Sequence, residues 1–223
     1  MTSLLLPVLA SADKLVEGDF LLWAILFLPL AAATLITILP ALRKNCTLAA
    51  YVATASVAAS FLITLLVYYL PALGAPFVTH EAIVDWMQTG RMNLEFGVRM
   101  DELALAMTLV VGAVSTAIFV YALGYMKGDE GTGRFYAKFA VFVFSMLGIV
   151  LSPNFFQTFV FWELVGASSY LLIGYYWKKH SAGEAAKKAF MTNRVGDFGF
   201  LLGILFVWTA VGNVTGMLDF EKL

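Results

Sequence analysis

Six apolar stretches, at about residues 20–42, 47–70, 101–125, 135–152, 154–177 and 185–211, occupy most of this 223-residue chain. A helix rises about 1.5 Å per residue, so about 20 apolar residues cross a ~30 Å hydrocarbon core, and each stretch is near or beyond that length. The chain is 61% hydrophobic and 13% charged, whereas a soluble domain carries about a quarter charged residues. The fold class these features dictate is an all-α polytopic membrane protein with about six transmembrane helices.

The punctuation between the stretches sets the topology. Ser152-Pro153-Asn154 separates the fourth from the fifth. Proline has no N–H and disfavours helix in the residue before it, so a tight turn between antiparallel spans is expected there. With the N-terminus outside, Arg43, Lys44, Lys127, Arg134, Lys138, Lys178, Lys179, Lys187, Lys188 and Arg194 fall on the inner side. Lys14, Arg91, Arg99 and Lys222 fall outside. That bias sets the orientation, although Arg194 lies partly in the membrane and counts for less. Residues 1–19 read as an external leader. Ala10-Ser11-Ala12 resembles a signal cleavage site, but no positive residue precedes the short apolar run, so an uncleaved leader is expected.

The long external connection, 71–100, has a different period. Leu94, Phe96, Val98 and Met100 alternate with Asn93, Glu95, Gly97 and Arg99. Together with a Thr89-Gly90 turn and Ile83-Val84-Asp85-Trp86 as partner strand, this predicts a short β-hairpin on the membrane surface. Asp101 then caps the third helix.

Several chemistries find no support. A net charge of −1 offers nothing to nucleic acid. The single cysteine, Cys46, excludes an intrachain disulfide and reads as an ordinary small residue at a helix end. Lys127-Gly128-Asp129-Glu130-Gly131-Thr132-Gly133 is glycine-rich but lacks the preceding strand and the Gly-Lys-Ser/Thr ending of a phosphate loop. His80 and His180 both read as solvated loop residues.

Glu163 is the exception in an apolar landscape. From Asn154 to Trp177 no other residue carries a charge at neutral pH, and Glu163 lies roughly 14 Å from Asn154, near mid-membrane. An ionisable group at that depth is a functional-site hypothesis by default. Its own helix offers no partner within one turn. Desolvation therefore favours the neutral acid unless a cation from another helix approaches, the property a proton relay needs. The neighbouring aromatics, among them Phe155, Phe156, Phe159, Phe161 and Trp162, read as packing residues.

A second charged group follows in the sixth stretch. Ser181 and Glu184 have capping-box spacing for a helix start. Glu184 and Lys188 are i,i+4, and Lys187 shares a face with Arg194. Arg194 and Asp197 are i,i+3, spaced to cancel each other's desolvation as a structural pair or to serve an ion path.

Phe161-Trp162-Glu163-Leu164-Val165-Gly166-Ala167-Ser168-Ser169-Tyr170-Leu171-Leu172-Ile173-Gly174 resembles the fifth-helix signature of the antiporter-like subunits of respiratory complex I. Lys188-Ala189-Phe190 and Asn193-Arg194-Val195-Gly196-Asp197 narrow the resemblance to their chain 5 (subunit L) branch. It extends over about residues 20–211. It implies three leading helices in 20–125 and, over 126–223, the start of an inverted-repeat, proton-translocating unit. It further implies a translocase subunit whose NADH, FMN, iron–sulfur and quinone sites lie in other subunits, with other membrane subunits of the complex, the lipid bilayer and protons as partners. The inner (cytoplasmic) membrane of a cell is the expected location, ahead of an organellar one.

The resemblance also assigns roles. It makes Glu163 the modulator of a lysine on a following, broken helix and Lys188 the inner-side proton-path lysine. Arg194 and Asp197 become its charged pair, tuning or hydrating the path. The chain stops before that later lysine and the second repeat, so a fragment unable to pump alone is expected. Two other readings stay open. One is the large subunit of a multisubunit Na⁺/H⁺ antiporter or a membrane-bound hydrogenase relative, neither expected to carry Asn193-Arg194-Val195-Gly196-Asp197. The other is a non-transporting membrane scaffold.

Overall fold

A computed structural model describes residues 20–74, 77–89 and 92–212. The leader, Gly90 of the expected turn and the chain beyond residue 212 lie outside the described residues. Among the described residues, six helices are long and apolar enough to cross a membrane: Phe20–Ile38, Cys46–Ala72, Glu102–Tyr125, Thr132–Val150, Phe155–Ile173 and His180–Ala210. They are called the first to sixth spans. A two-stranded antiparallel sheet, β1 (His80–Thr89) and β2 (Met92–Met100), joins the second span to the third.

Several span ends differ from expectation, each for a local reason. The first span stops at Ile38 rather than 42, because Pro40 holds Leu39 extended and starts a separate short helix, Pro40–Lys44. The fourth starts at Thr132 rather than 135. Its Thr132 hydroxyl donates to the carbonyls of Met126 and Asp129 and closes the loop between the third and fourth spans onto the helix start. The fifth ends at Ile173, with Gly174 as its C-cap. The sixth begins at His180, not 185, which removes the expected capping box. Lys179 is the N-cap without a side-chain bond, and its carbonyl takes the Ala182 and Gly183 N–H groups. Glu184 pairs with Lys187 at 3.1 Å instead of Lys188.

The first, second and fourth spans form the centre. Ala49, Ala50 and Ala53 of the second span are buried and small, which lets the helices approach closely, as membrane helices without a hydrophobic drive between them require. Ile25, Leu26, Val57, Phe119, Tyr136, Val143 and Leu147 fill the remaining space. The third span packs on the second, the fifth on the fourth, and the sixth on the fifth.

The hairpin is longer than expected. Its register pairs Ile83 with Gly97 and Val84 with Phe96, and a β-bulge falls between Asp85 and Met87. The alternation in β2 holds: Val98 and Met100 are fully buried, and Phe96 stacks on Trp23 of the first span. His80 is not a loop residue. It opens β1 and sits edge-on to the rings of Tyr68 and Phe77, where burial lowers its pKa below 6.5.

Candidate functional site

The fifth span is fastened at both ends before it presents its charge. At its start, Asn154 extends the backbone and accepts the Gln157 N–H at 2.8 Å, capping an otherwise unsatisfied donor. The Asn154 amide also donates to the Glu95 carbonyl at 2.9 Å. One turn on, the buried Gln157 amide pairs with both backbone groups of Gly97, accepting its N–H at 2.9 Å and donating to its carbonyl at 2.7 Å. Arg99 N–H donates to the Leu151 carbonyl at 2.9 Å. β2 is thus stitched to the turn between the fourth and fifth spans.

At the other end, Lys138 of the fourth span donates from Nζ to the Leu171 carbonyl at 3.1 Å and lies over the Tyr175 ring. Cations are favoured there, where helix carbonyls lack partners. Tyr175 donates its hydroxyl to Asp129, in the loop between the third and fourth spans, at 2.9 Å. Burial and the Asp129 carboxylate raise its pKa well above the usual tyrosine value. Asp129 also accepts the Gly131 N–H, so the glycine-rich loop is held by its own side chains.

Between these fasteners, Phe161 sets the rotation of the fifth span. Its ring is buried against Phe144 at 5.4 Å and lies over Gly148, where any Cβ would collide with it. Glu163, two residues and about 200° further on, is therefore turned away from the fourth span. It meets the sixth span, and Arg194 Nη1 pairs with Glu163 Oε2. The approaching cation that the sequence left as a condition is thus present, and it belongs to the next helix.

Asp197 lies one turn further along the sixth span. Its Oδ2 is 3.7 Å from Arg194 Nη1, and its Oδ1 accepts a hydrogen bond from Trp162 Nε1 at 2.9 Å. The expected Arg194–Asp197 pair is present but secondary, since Arg194 sits on Glu163. Side-chain exposure is 24% for Glu163, 45% for Arg194 and 7% for Asp197, so the aspartate is the most enclosed charge. The Phe190 ring lies 4.7 Å below the Arg194 guanidinium and adds a cation–π contact.

Lys188 is not drawn into this group. It is exposed on the sixth span, six residues from Arg194 and so about 9 Å towards the start of that helix. Trp162, read as a packing residue, does pack edge-on against Phe200, but its N–H bonds a carboxylate. Read from sequence, Asn154 belongs only to the turn and Gln157 carries no role. A polar side chain in the first turn of an apolar span was the available signal. Among the described residues, no group of three or more His, Cys, Asp or Glu is placed to hold a metal ion.

Residues 86–136 match the family described as NADH-ubiquinone oxidoreductase (complex I), chain 5 N-terminus. Residues 152–223 match the NADH:quinone oxidoreductase/Mrp antiporter transmembrane family. The chloroplastic NAD(P)H-quinone oxidoreductase subunit 5 of Mesostigma viride is 40% identical over 207 residues, 90% of this chain and 31% of that protein. The corresponding protein of Anthoceros angustus is 46% identical over 156 residues, 66% of this chain and 21% of the relative. NAD(P)H-quinone oxidoreductase chain 5 of Synechocystis is 46% identical over 135 residues, 60% of this chain and 20% of the relative. The chain thus spans about a fifth to a third of the length of these relatives. A chain of the Mrp complex from Dietzia shares the fold at TM-score 0.72 and 22% identity, over 90% of this chain and 20% of that one.

Proposed function

Because the chain belongs to the antiporter-like chain 5 subunits of complex I, we propose that it forms part of a NAD(P)H:quinone oxidoreductase and contributes to proton translocation driven by electron transfer. The carrying observation is the Glu163–Arg194 pair. A carboxylate eight residues into a 19-residue span meets one cation from the adjacent span. The guanidinium balances the carboxylate's charge where solvent is scarce, so a change at one partner alters the environment of the other. Proton uptake by Glu163 is thereby linked to the position of Arg194.

In this reading Glu163 is the relay and Arg194 its in-chain counter-ion. Asp197 holds the arginine's second side, and Lys188 supplies a cation on the inner approach. Residues 20–125 form a leading three-helix unit, and 126–223 begin the translocating unit. NADH, FMN, iron–sulfur clusters and quinone belong to other subunits. The partners are other membrane subunits, lipid and protons. The enrichment of lysine and arginine on the inner side supports an external N-terminus, in the inner membrane of a cell. Of the family readings, complex I is favoured over a Na⁺/H⁺ antiporter by the chain 5 match over 86–136.

The test is Glu163→Gln in the assembled complex, with proton uptake into inverted membrane vesicles measured per electron transferred. The expected outcome is normal subunit level and severely reduced pumping. Unchanged pumping refutes the relay.

A further inference from the structure

The fifth span sends two neighbouring side chains to the sixth, and each takes one member of the Arg194–Asp197 pair. Glu163 takes the arginine and Trp162 takes the aspartate. This crossed arrangement gives the Arg194 guanidinium two seats. It occupies Glu163, while Asp197 Oδ2 waits 3.7 Å from the same Nη1. A full charge-assisted hydrogen bond needs about 2.7–2.9 Å, so the distance to cross is about 1 Å.

We propose that Trp162 is a positioning residue that holds Asp197 as the second seat for Arg194, so that the guanidinium passes to Asp197 when Glu163 takes up a proton and returns when Glu163 loses it. The proposal rests on the relay reading of Glu163 and names the parts of this chain that transmit its change of charge.

The indole suits the task. Its N–H donates and cannot accept, so it stabilises the ionised aspartate without introducing a second cation that would compete with Arg194. It binds Oδ1 and leaves Oδ2 turned towards Arg194. Phe200, edge-on to the indole at 5.7 Å, supports the ring. Phe190 lies under the guanidinium, and attraction to a ring face changes little over a sideways shift of this size.

Among the described residues no other ion pair reaches Glu163 from its neighbours. From the sixth span Arg194 and Asp197 face it. Lys187 is engaged with Glu184 and Lys188 lies about 9 Å inward. From the fourth span the cations are Arg134 and Lys138. Lys138 is committed to the Leu171 carbonyl, eight residues or about 12 Å from Glu163. On the outer side Arg99 pairs with Glu81 at 3.2 Å.

The test reads the Trp162 indole N–H directly, by ultraviolet resonance Raman of the assembled complex, as the difference from Trp162→Phe. In Glu163→Gln, position 163 is permanently neutral, Arg194 moves to Asp197, and the Trp162 signal should shift towards a weaker hydrogen bond. An unchanged signal overturns the proposal even where pumping is lost, which leaves the relay reading standing.

Pumping gives the second arm. Trp162→Phe keeps the ring and removes the donor. It should lower proton uptake several-fold and displace its pH profile, and combining it with Asp197→Asn should lose no more than Asp197→Asn alone. A wild-type pH profile in Trp162→Phe, or losses that multiply in the double variant, also overturns it. If Glu163→Gln pumps normally, the relay reading fails instead.

Discussion

Arg194 of the sixth span reaches across to Glu163 of the fifth and leaves Asp197, one turn along its own helix, at 3.7 Å. The arginine is thus the only cation joining two carboxylates in this group among the described residues. Removing it differs in kind from removing either acid.

Arg194→Ala strands both Glu163 and Asp197, and removing one partner of an enclosed pair costs more than replacing the pair. Subunit levels in membranes should fall several-fold, further than for Lys188→Ala, whose side chain is exposed. Adding Glu163→Gln to Arg194→Ala should restore part of the level. Quantitative immunoblotting of the four strains checks this, and equal levels for Arg194→Ala and Lys188→Ala would contradict it.

Gln157→Leu removes the amide that satisfies both backbone groups of Gly97. Each buried group left without a partner costs about 1–3 kcal/mol. β2 should lose hydrogen-exchange protection around Gly97, while the ends of the spans remote from the hairpin keep theirs. Protection unchanged at Gly97 would mean that water replaces the amide at no cost.

Gly148→Val places side-chain atoms where the Phe161 ring lies. Overpacking costs about 1–3 kcal/mol, and relief requires the fifth span to turn or move away from the fourth. Pumping should fall although no charged residue has changed. Phe161→Leu added to Gly148→Val makes room and should recover part of it.

His80 supplies a pH dependence outside the membrane. Burial holds its pKa below 6.5, so the unfolded segment binds the proton more readily than the folded one. The stabilisation is complete above the unfolded pKa and declines as pH falls from about 6.5 towards the folded value. Hydrogen exchange at the start of β1 should therefore quicken below about pH 6.5, and His80→Phe should abolish that change. An identical pH response in His80→Phe would assign it to other groups.

The spans were legible because the membrane imposes one simple demand, length and apolarity, which leaves its mark on every stretch. Alternation in Leu94 to Met100 disclosed β2 in the same way, since a buried face must repeat every second residue. The site was half legible. Glu163, Arg194 and Asp197 stand out because charge in an apolar span is rare, but spacing along one helix suggested only Arg194 with Asp197. Trp162 gave no sign of a polar role, since an aromatic in a membrane helix packs far more often than it binds a carboxylate.

The chain by itself determined what each helix is and which residues are costly within it, because those properties depend on local composition. Only the tertiary structure decided who neutralises whom. Phe161 seated over Gly148 sets the rotation of the fifth span, the Gln157 amide on Gly97 ties its first turn, and the sixth span then lies against the face that carries Trp162 and Glu163. Ion-pair partners 31 residues apart depend on helix rotation and offset, and periodicity within either helix contains neither quantity.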